Sequence, residues 1–308
     1  MMMQYFYLCR HPTVFLKMTG LRVKEFAELV DDVLPLYCEA EEERLKRPER
    51  QRAIGGGRQN ELEGRDQILL TVIWLRQYPT QDVLGYFFGI SQPSVSRCIE
   101  RVLPVLEQAG CDTMRMPDPG KKRRRSLDNL LKDTPELAVI IDSFEQRVQR
   151  PRDRREAECY YSGKKKQHTL KSHVAVDENS GQVVDVSASV PGPTADMTLL
   201  RQSKLMDRLP DGVGAIGDLA YVGIQKLHPD GLAAAPRRKP RGKPRPPEDV
   251  AYNTAFARRR IVGEHTIGRM RRYQSITQTD RNHRRDHTAR VCAIAGLVNR
   301  QIAHRLPC

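Results

Sequence analysis

Two architectures follow one another in this sequence: an all-α region up to about residue 112, then a mixed α/β domain from about residue 134. Three observations predict this. Apolar residues recur at spacings of three and four in the first part, short β-branched and alternating runs mix with helical patterns in the second, and a basic tract lies between them.

Residues 1–20 read as a poorly ordered N-terminal extension, and residues 21–112 as the helical domain. Val23 to Tyr37 sets Phe26, Leu29, Val30, Val33 and Leu34 on one face. Glu39 to Arg52 either extends this helix or ends it, and Gly55–Gly57 is a break. Arg65 to Tyr78 is a second, strongly apolar helix with Trp74 in its core, stopped by Pro79. Residues 113–133 form a basic linker that includes PDPGKKRRR, Pro117 to Arg125.

From residue 134 to 308, Leu137 to Ile141 (LAVII) suits a buried strand. Ser172–Asp177 and Val183–Val190 alternate around a turn and read as a hairpin. Thr194–Leu209 is helical, capped by Thr194 or Asp196. Gly212–Ile216 and Leu232–Ala235 are further strands, and Ala251–Tyr273 and Asp286–Leu306 are long helices. A basic, Pro-rich loop spans about 236–247, with six Lys/Arg and five Pro, and RNHRR follows at Arg281–Arg285. Such runs are solvated loops or phosphate contacts.

The chain has 308 residues with 52 Lys plus Arg against 38 Asp plus Glu, a net charge of +14 that points to a polyanion, nucleic acid above all. Its pI is about 9.6 and its mean hydropathy −0.59. No apolar run approaches a membrane span. Arg10 and His11 interrupt the apolar start, so no signal peptide is expected. The seven scattered cysteines fit neither zinc fingers nor a disulfide framework and suit a reducing cytosol.

Thr80 to Leu106 carries a helix-turn-helix pattern. Thr80 caps a short helix, Gly89 suits a positive-φ helix end, Ser91 is a cap and Pro93 fits the next first turn. Val95, Ile99, Val102 and Leu106 form one stripe, while Gln92, Ser94, Arg97 and Arg101 give the polar, basic surface that major-groove entry requires. Pro104 is expected to kink or end the second helix.

Three carboxylates invite a metal reading. Asp142 follows the first strand, Asp218 follows the strand ending near Ile216, and Glu264 lies in a long basic helix. Acids at two adjacent strand ends and on a crossing helix can converge, and hard oxygen ligands select Mg²⁺ or Mn²⁺. Spacing alone leaves the plainer reading open: turn or cap aspartates, and an i,i+4 pair of Arg260 with Glu264.

Flanking residues sharpen this. In order come LLTVIWLRQYPTQDVLGYFFGISQPSVSRCIERVLPVLE, VIIDSFEQ with Asp142 and Glu145, YYSGKKKQHTLK (Tyr160–Lys171), PGPTAD (Pro191–Asp196), GDLAY with Asp218, and RRRIVGEHTIGRMRRY with Glu264. From about Val23 to Pro307 the chain resembles the DDE-type transposases of the IS5 and Harbinger superfamily. The resemblance implies an RNase H-like fold and a two-metal nuclease and strand-transfer centre, with Asp142, Asp218 and Glu264 as catalytic, metal-holding triad. It places Arg260 and Arg271 at accompanying basic positions. Ala257 stands where a Tyr is usual, with Phe256 and Tyr252 near, and Ala195 where a His is frequent.

On this reading two Mg²⁺ (or Mn²⁺) ions serve hydrolysis at a transposon end and attack of the freed 3′-OH on target DNA. Arg260, Arg271, Lys164 and Lys165 contact phosphate. Tyr160 and Tyr161 are core residues or stack on a displaced base, core being the plainer reading, and His265 is a surface residue. The partners are double-stranded DNA and further copies of the chain, at least a dimer, with no membrane and no organic cofactor. The location is the cytoplasm, at the nucleoid if the source is bacterial. Two alternatives remain: a catalytically silent or domesticated DNA-binding protein of this fold, and a host repair or recombination nuclease.

Overall fold

A computed structural model describes residues 3–46, 61–121, 127–229 and 231–305. The expected Gly55–Gly57 break and the Lys122–Arg125 end of the first basic run lie outside the described residues. Contacts divide the chain into two units: one from within Met1–Asp112 joined by Arg272–Ile276 and Ala289–His304, the other holding most of the remainder.

The first unit opens with α1 (Tyr5–Leu8), α2 (Pro12–Thr19) and α3 (Val23–Leu45). The expectation of a poorly ordered start is corrected here. Phe15 and Leu21 are wholly buried, Tyr5 stacks on Phe26 at 5.6 Å, and the Tyr5 N–H donates to Asp66 Oδ1 at 2.7 Å. Each buried aromatic is worth about 1.5–3 kcal/mol, so the segment is held by the core. α4 (Gly64–Gln77) is buried without a break from Gln67 to Leu75, the pattern of a helix surrounded by others. Trp74 is in that core, as expected.

α5 (Gln81–Phe88) and α6 (Gln92–Cys111) make the helix-turn-helix. Gly89 has φ +70°, and the Thr80 side chain accepts from the Val83 N–H. Gly85 is the residue the pattern did not flag. A Cβ there would stand 2.6 Å from the Ile90 carbonyl oxygen, so only glycine admits this tight turn. α6 runs through Pro104 to Cys111 rather than ending there. Its Val95, Ile99, Val102, Leu103 and Leu106 are buried, while Pro104 is exposed, where the carbonyl it leaves without a donor can turn to water.

The second unit holds β1 (Leu137–Arg147), α7 (Arg154–Tyr160), β2 (Tyr161–Ser162), β3 (Gln167–Asp177), β4 (Val183–Val186), β5 (Val190–Pro191), α8 (Asp196–Ser203), β6 (Val213–Ile216), β7 (Ala233–Ala234) and α9 (Pro247–Met270). The sheet order is β2-β3-β1-β6-β7, with β4 and β5 also on β3. β3 is antiparallel to β1, whereas β6 and β7 continue in parallel. Leu137, Val139 and Ile141 point to one face, against Leu200, Leu205 and Tyr221. Ile140 faces the other way, onto α9. Part of the expected linker is also packed, with Met116 against this core and Leu131 buried.

α10 (His287–Ala303) is the last helix among the described residues. From Ala289 it belongs with the first unit, not with the domain expected over 134–308. The reason is a glycine crossing. A Cβ on Gly296 would lie 2.3 Å from Gly110 Cα, so α10 and α6 touch backbone to backbone. Arg300 pairs with Asp32 at 2.6 Å and Gln301 donates to the Gly20 carbonyl at 2.8 Å. Among the described residues no helix is long and apolar enough to cross a membrane.

Candidate active site

Asp142 lies inside β1, not at its tip as expected, because β3 pairs with β1 as far as Arg147. What stops near Asp142 is the other neighbour. The β1–β6 ladder ends at Ile140 with Ile216, and the same register carried on two residues sets 142 beside 218. Gly217 makes the turn out of β6, since a Cβ there would strike Tyr221 at 2.6 Å. Asp218 then caps a single 3-10 turn, its Oδ1 accepting from the Ala220 N–H at 2.8 Å.

Asp142 and Ile140 share a face, the one under α9. Gly263 sits directly on Ile140, where a Cβ would stand 2.7 Å from Ile140 Cγ2, so the helix lies close over the strand. The next residue is Glu264, more than half exposed. Arg260, one turn earlier and largely buried, spans the two acids: its Nη2 is 3.7 Å from Asp142 Oδ2 and its Nη1 3.9 Å from Glu264 Oε1. Burial raises the Asp142 pKa above the ordinary carboxylate value and the Asp218 charge adds to the rise, while the Ser143 N–H, Arg260 and Arg271 oppose it.

A second buried cluster backs Asp142 on the opposite face. Ser143 Oγ donates to Asp196 Oδ1 at 2.7 Å. Lys171 Nζ lies 3.2 Å from Asp196 and 3.9 Å from Glu145, and donates to the Thr194 carbonyl at 2.6 Å. Asp196 is therefore not the N-cap that the sequence suggests, nor is Thr194; Ala195 holds that position. Tyr221 is buried beside this cluster. Burial raises its pKa, and the charges of Asp196, Asp142 and Asp218 add to it.

α9 is fixed by a clamp that periodicity did not reveal. Arg259 is buried and meets Glu178 twice, Nε to Oε1 at 2.6 Å and Nη2 to Oε2 at 2.8 Å, while its Nη1 donates to Thr134 Oγ1 at 2.7 Å. Seven residues along, two turns on in the same helix, the Thr266 hydroxyl donates to the Gly181 carbonyl at 2.7 Å.

Among the described residues no three His, Cys, Asp or Glu side chains stand together at metal-holding distance. The donor chemistry nevertheless fits a hard divalent cation: three carboxylates, with the Asp218 charge adding to the cost of ionising Asp142 and an arginine lying between Asp142 and Glu264.

The family model described as DDE superfamily endonuclease matches residues 141–299, more than half of the chain, and takes in all three acids. This chain belongs to the DDE superfamily of endonucleases. A second model, the helix-turn-helix of DDE superfamily endonuclease, matches residues 60–112. The chain is also 29% identical over 290 residues, 94% of either protein, to a protein from Microchaete diplosiphon named probable transposase for insertion sequence element IS702. The mixed sheet with α9 laid on it is the RNase H-like architecture that this membership carries.

The endonuclease's other expected contacts are less uniform. Gln92, Ser94 and Arg97 lie on the outer side of α6, where Gln92 donates to Gln81 and Arg97 to Ser94 Oγ at 3.3 Å. Arg101 turns inward instead, its Nε 3.6 Å from Glu41, and so is not presented with the others. Lys164 and Lys165 are exposed in the turn between β2 and β3, and Arg271 is exposed just past α9. Tyr252 and Phe256 stack on each other in the core at 5.8 Å and cannot stand in for a tyrosine at position 257. Tyr161 is 47% exposed, which corrects its expected place in the core. His265 is exposed, as expected.

Proposed function

We propose that this endonuclease is an insertion-sequence transposase. Asp142, Asp218 and Glu264 form its catalytic set, and it nicks transposon ends and joins the freed 3′-OH to target DNA. The observation that carries the assignment is Arg260, which touches both Asp142 and Glu264 while Asp218 is close enough to disturb Asp142. The three carboxylates would hold Mg²⁺ or Mn²⁺, two ions in this reading. Such ions, when bound, supply Lewis acidity and a water whose pKa falls toward neutrality.

The chain's own residues do the rest. Asp142, on a strand held from both sides, fixes the position of the reacting phosphate. Arg260 and Arg271 hold its oxygens with charge-assisted hydrogen bonds, and Lys164 and Lys165 grip the backbone farther along. Gln92, Ser94 and Arg97 enter the major groove from α6. The first unit, which includes α10 from Ala289, then serves DNA recognition, and the second serves chemistry. Pairing two DNA ends calls for at least a dimer on DNA, and the chain acts in the cytoplasm, at the nucleoid in a bacterium.

The test is nicking of a supercoiled plasmid carrying the element's ends, with and without Mg²⁺. Asp142→Ala is expected to lose activity by more than about a hundredfold, beyond the 10–100-fold typical of residues that only support a metal ligand, while keeping duplex binding. Nicking by Asp142→Ala at the parent rate would remove the assignment. Duplex binding without nicking by the parent chain would favour a silent DNA-binding protein.

A further inference from the structure

Beyond the carboxylates, β1 runs on to Arg147, and a cavity of about 360 Å³ opens there. Its lining includes Arg147, Arg150, Lys166, Tyr161, Gln149 and Gln167, and no carboxylate is among the residues around it. The size is that of a small-ligand site. Its walls are fixed: the Val148 N–H donates to the His168 carbonyl at 2.9 Å, and the Asp280 N–H to the Arg147 carbonyl at 2.8 Å. The Tyr161 ring meets His168 edge-on at 5.5 Å and is 47% exposed. Lys166 holds φ +51°, a left-handed conformation uncommon outside glycine, at the end of the turn leading into β3.

Three cations, one half-exposed aromatic ring and two amides around a preformed hollow match the parts of one nucleotide. The cations suit the phosphate, the ring a base face and the amides a base edge. A duplex offers its phosphates but not its base faces, so a ring at this place is of use only to an unpaired base. We propose that this cavity seats one unpaired nucleotide of single-stranded DNA. The base lies against Tyr161 and the phosphate between Arg147, Arg150 and Lys166. The cavity begins five residues beyond Asp142 on the same strand, about 17 Å away at ~3.3 Å per residue. That is about five base steps at ~3.4 Å each. The inference deepens the transposase reading, because strand breakage is what exposes such a nucleotide.

The experiment measures polarisation of a fluorescein-labelled single-stranded oligonucleotide, and of the same sequence as a duplex, on the full chain in EDTA. Binding is thereby read without catalysis. Tyr161→Ala is expected to weaken single-strand binding about tenfold, the usual worth of one stacked base, with duplex binding unchanged. Tyr161→Phe keeps the ring face and the affinity. Arg150→Gln weakens single-strand binding and flattens its salt dependence. Lys226→Gln, an exposed lysine of the same unit outside the cavity lining, serves as the control. Single-strand affinity within twofold of the parent in Tyr161→Ala would overturn the proposal, as would equal losses on both DNAs, which would mean a phosphate contact alone. Either outcome leaves the plasmid-nicking test of Asp142 standing, so failure here is distinct from failure of the nuclease assignment.

Discussion

Replacing Arg259 tests whether α9 is held over the sheet by one buried ion pair. The Arg259 side chain is 1% exposed and that of Glu178 5%, with two short contacts between them and a third from the guanidinium to Thr134. Arg259→Leu keeps the apolar stem but leaves Glu178 charged and buried with no guanidinium beside it. Breaking such a pair costs about 3–5 kcal/mol. In a unit of 150–250 residues each kcal/mol moves Tm by roughly 2–4 °C, so a fall on the order of 10 °C is expected. Arg259→Leu with Glu178→Leu removes both charges and should recover most of the loss, because two leucines ask nothing of a dry site. The assay is a circular-dichroism melt of the full chain in EDTA. It is accompanied by plasmid nicking well below the transition, where Arg259→Leu should be slower because Glu264 rides on the same helix. A shift under about 3 °C, or a double variant no better than the single one, would refute the clamp.

His173 is wholly buried, with neither ring nitrogen hydrogen-bonded among the described residues, and burial lowers its pKa to about 4, with Asp185 and Asp196 partly opposing and Arg208 adding to the shift. The unfolded chain therefore takes up a proton near pH 6.5 that the folded chain refuses, and stability falls as pH drops from there toward 4. The whole span is worth roughly 3 kcal/mol. His173→Leu should flatten that acid limb in Tm measured against pH; an unchanged limb would count against the buried neutral ring. Gly263→Val drives a side chain into Ile140 and should cost about 1–3 kcal/mol and most nicking, with Ile140→Ala restoring part of both. No rescue by Ile140→Ala would mean that the close approach is not what matters. Gly85→Ala strikes the Ile90 carbonyl and should weaken duplex binding while metal-dependent nicking of short end substrates at high concentration survives; retained duplex affinity would contradict the tight-turn account.

Much of this was legible in the residues. LAVII announced β1, the Gly89–Ser91–Pro93 punctuation announced the helix-turn-helix, and the ordered motifs around Asp142, Asp218 and Glu264 announced the family. What stayed hidden depends on distant partners. β1 runs past Asp142 because β3 supplies backbone partners as far as Arg147, which no local pattern records. Asp196 looked like a cap because caps are local, yet its partners are Ser143 and Lys171. Arg101 shared a polar surface with Arg97 in one dimension but meets Glu41 from another helix. Arg259 is one more cation in RRRIVGEH by sequence; Glu178, 81 positions earlier, and Thr134, 125 positions earlier, make it structural. The aromatic start of the chain shows no partner in its own sequence; Tyr5 and Phe15 both pack on Phe26.

The crossing of Gly110 with Gly296 has a consequence in time. Synthesis runs from the N-terminus, so the helices up to Asp112 are written early, yet that unit stays without α10 until Ala289–His304 has been translated. A transcript cut short before Ala289 yields an incomplete reader as well as a shortened nuclease. Fragments of this protein are thus poorly equipped to occupy its DNA sites in competition with finished copies.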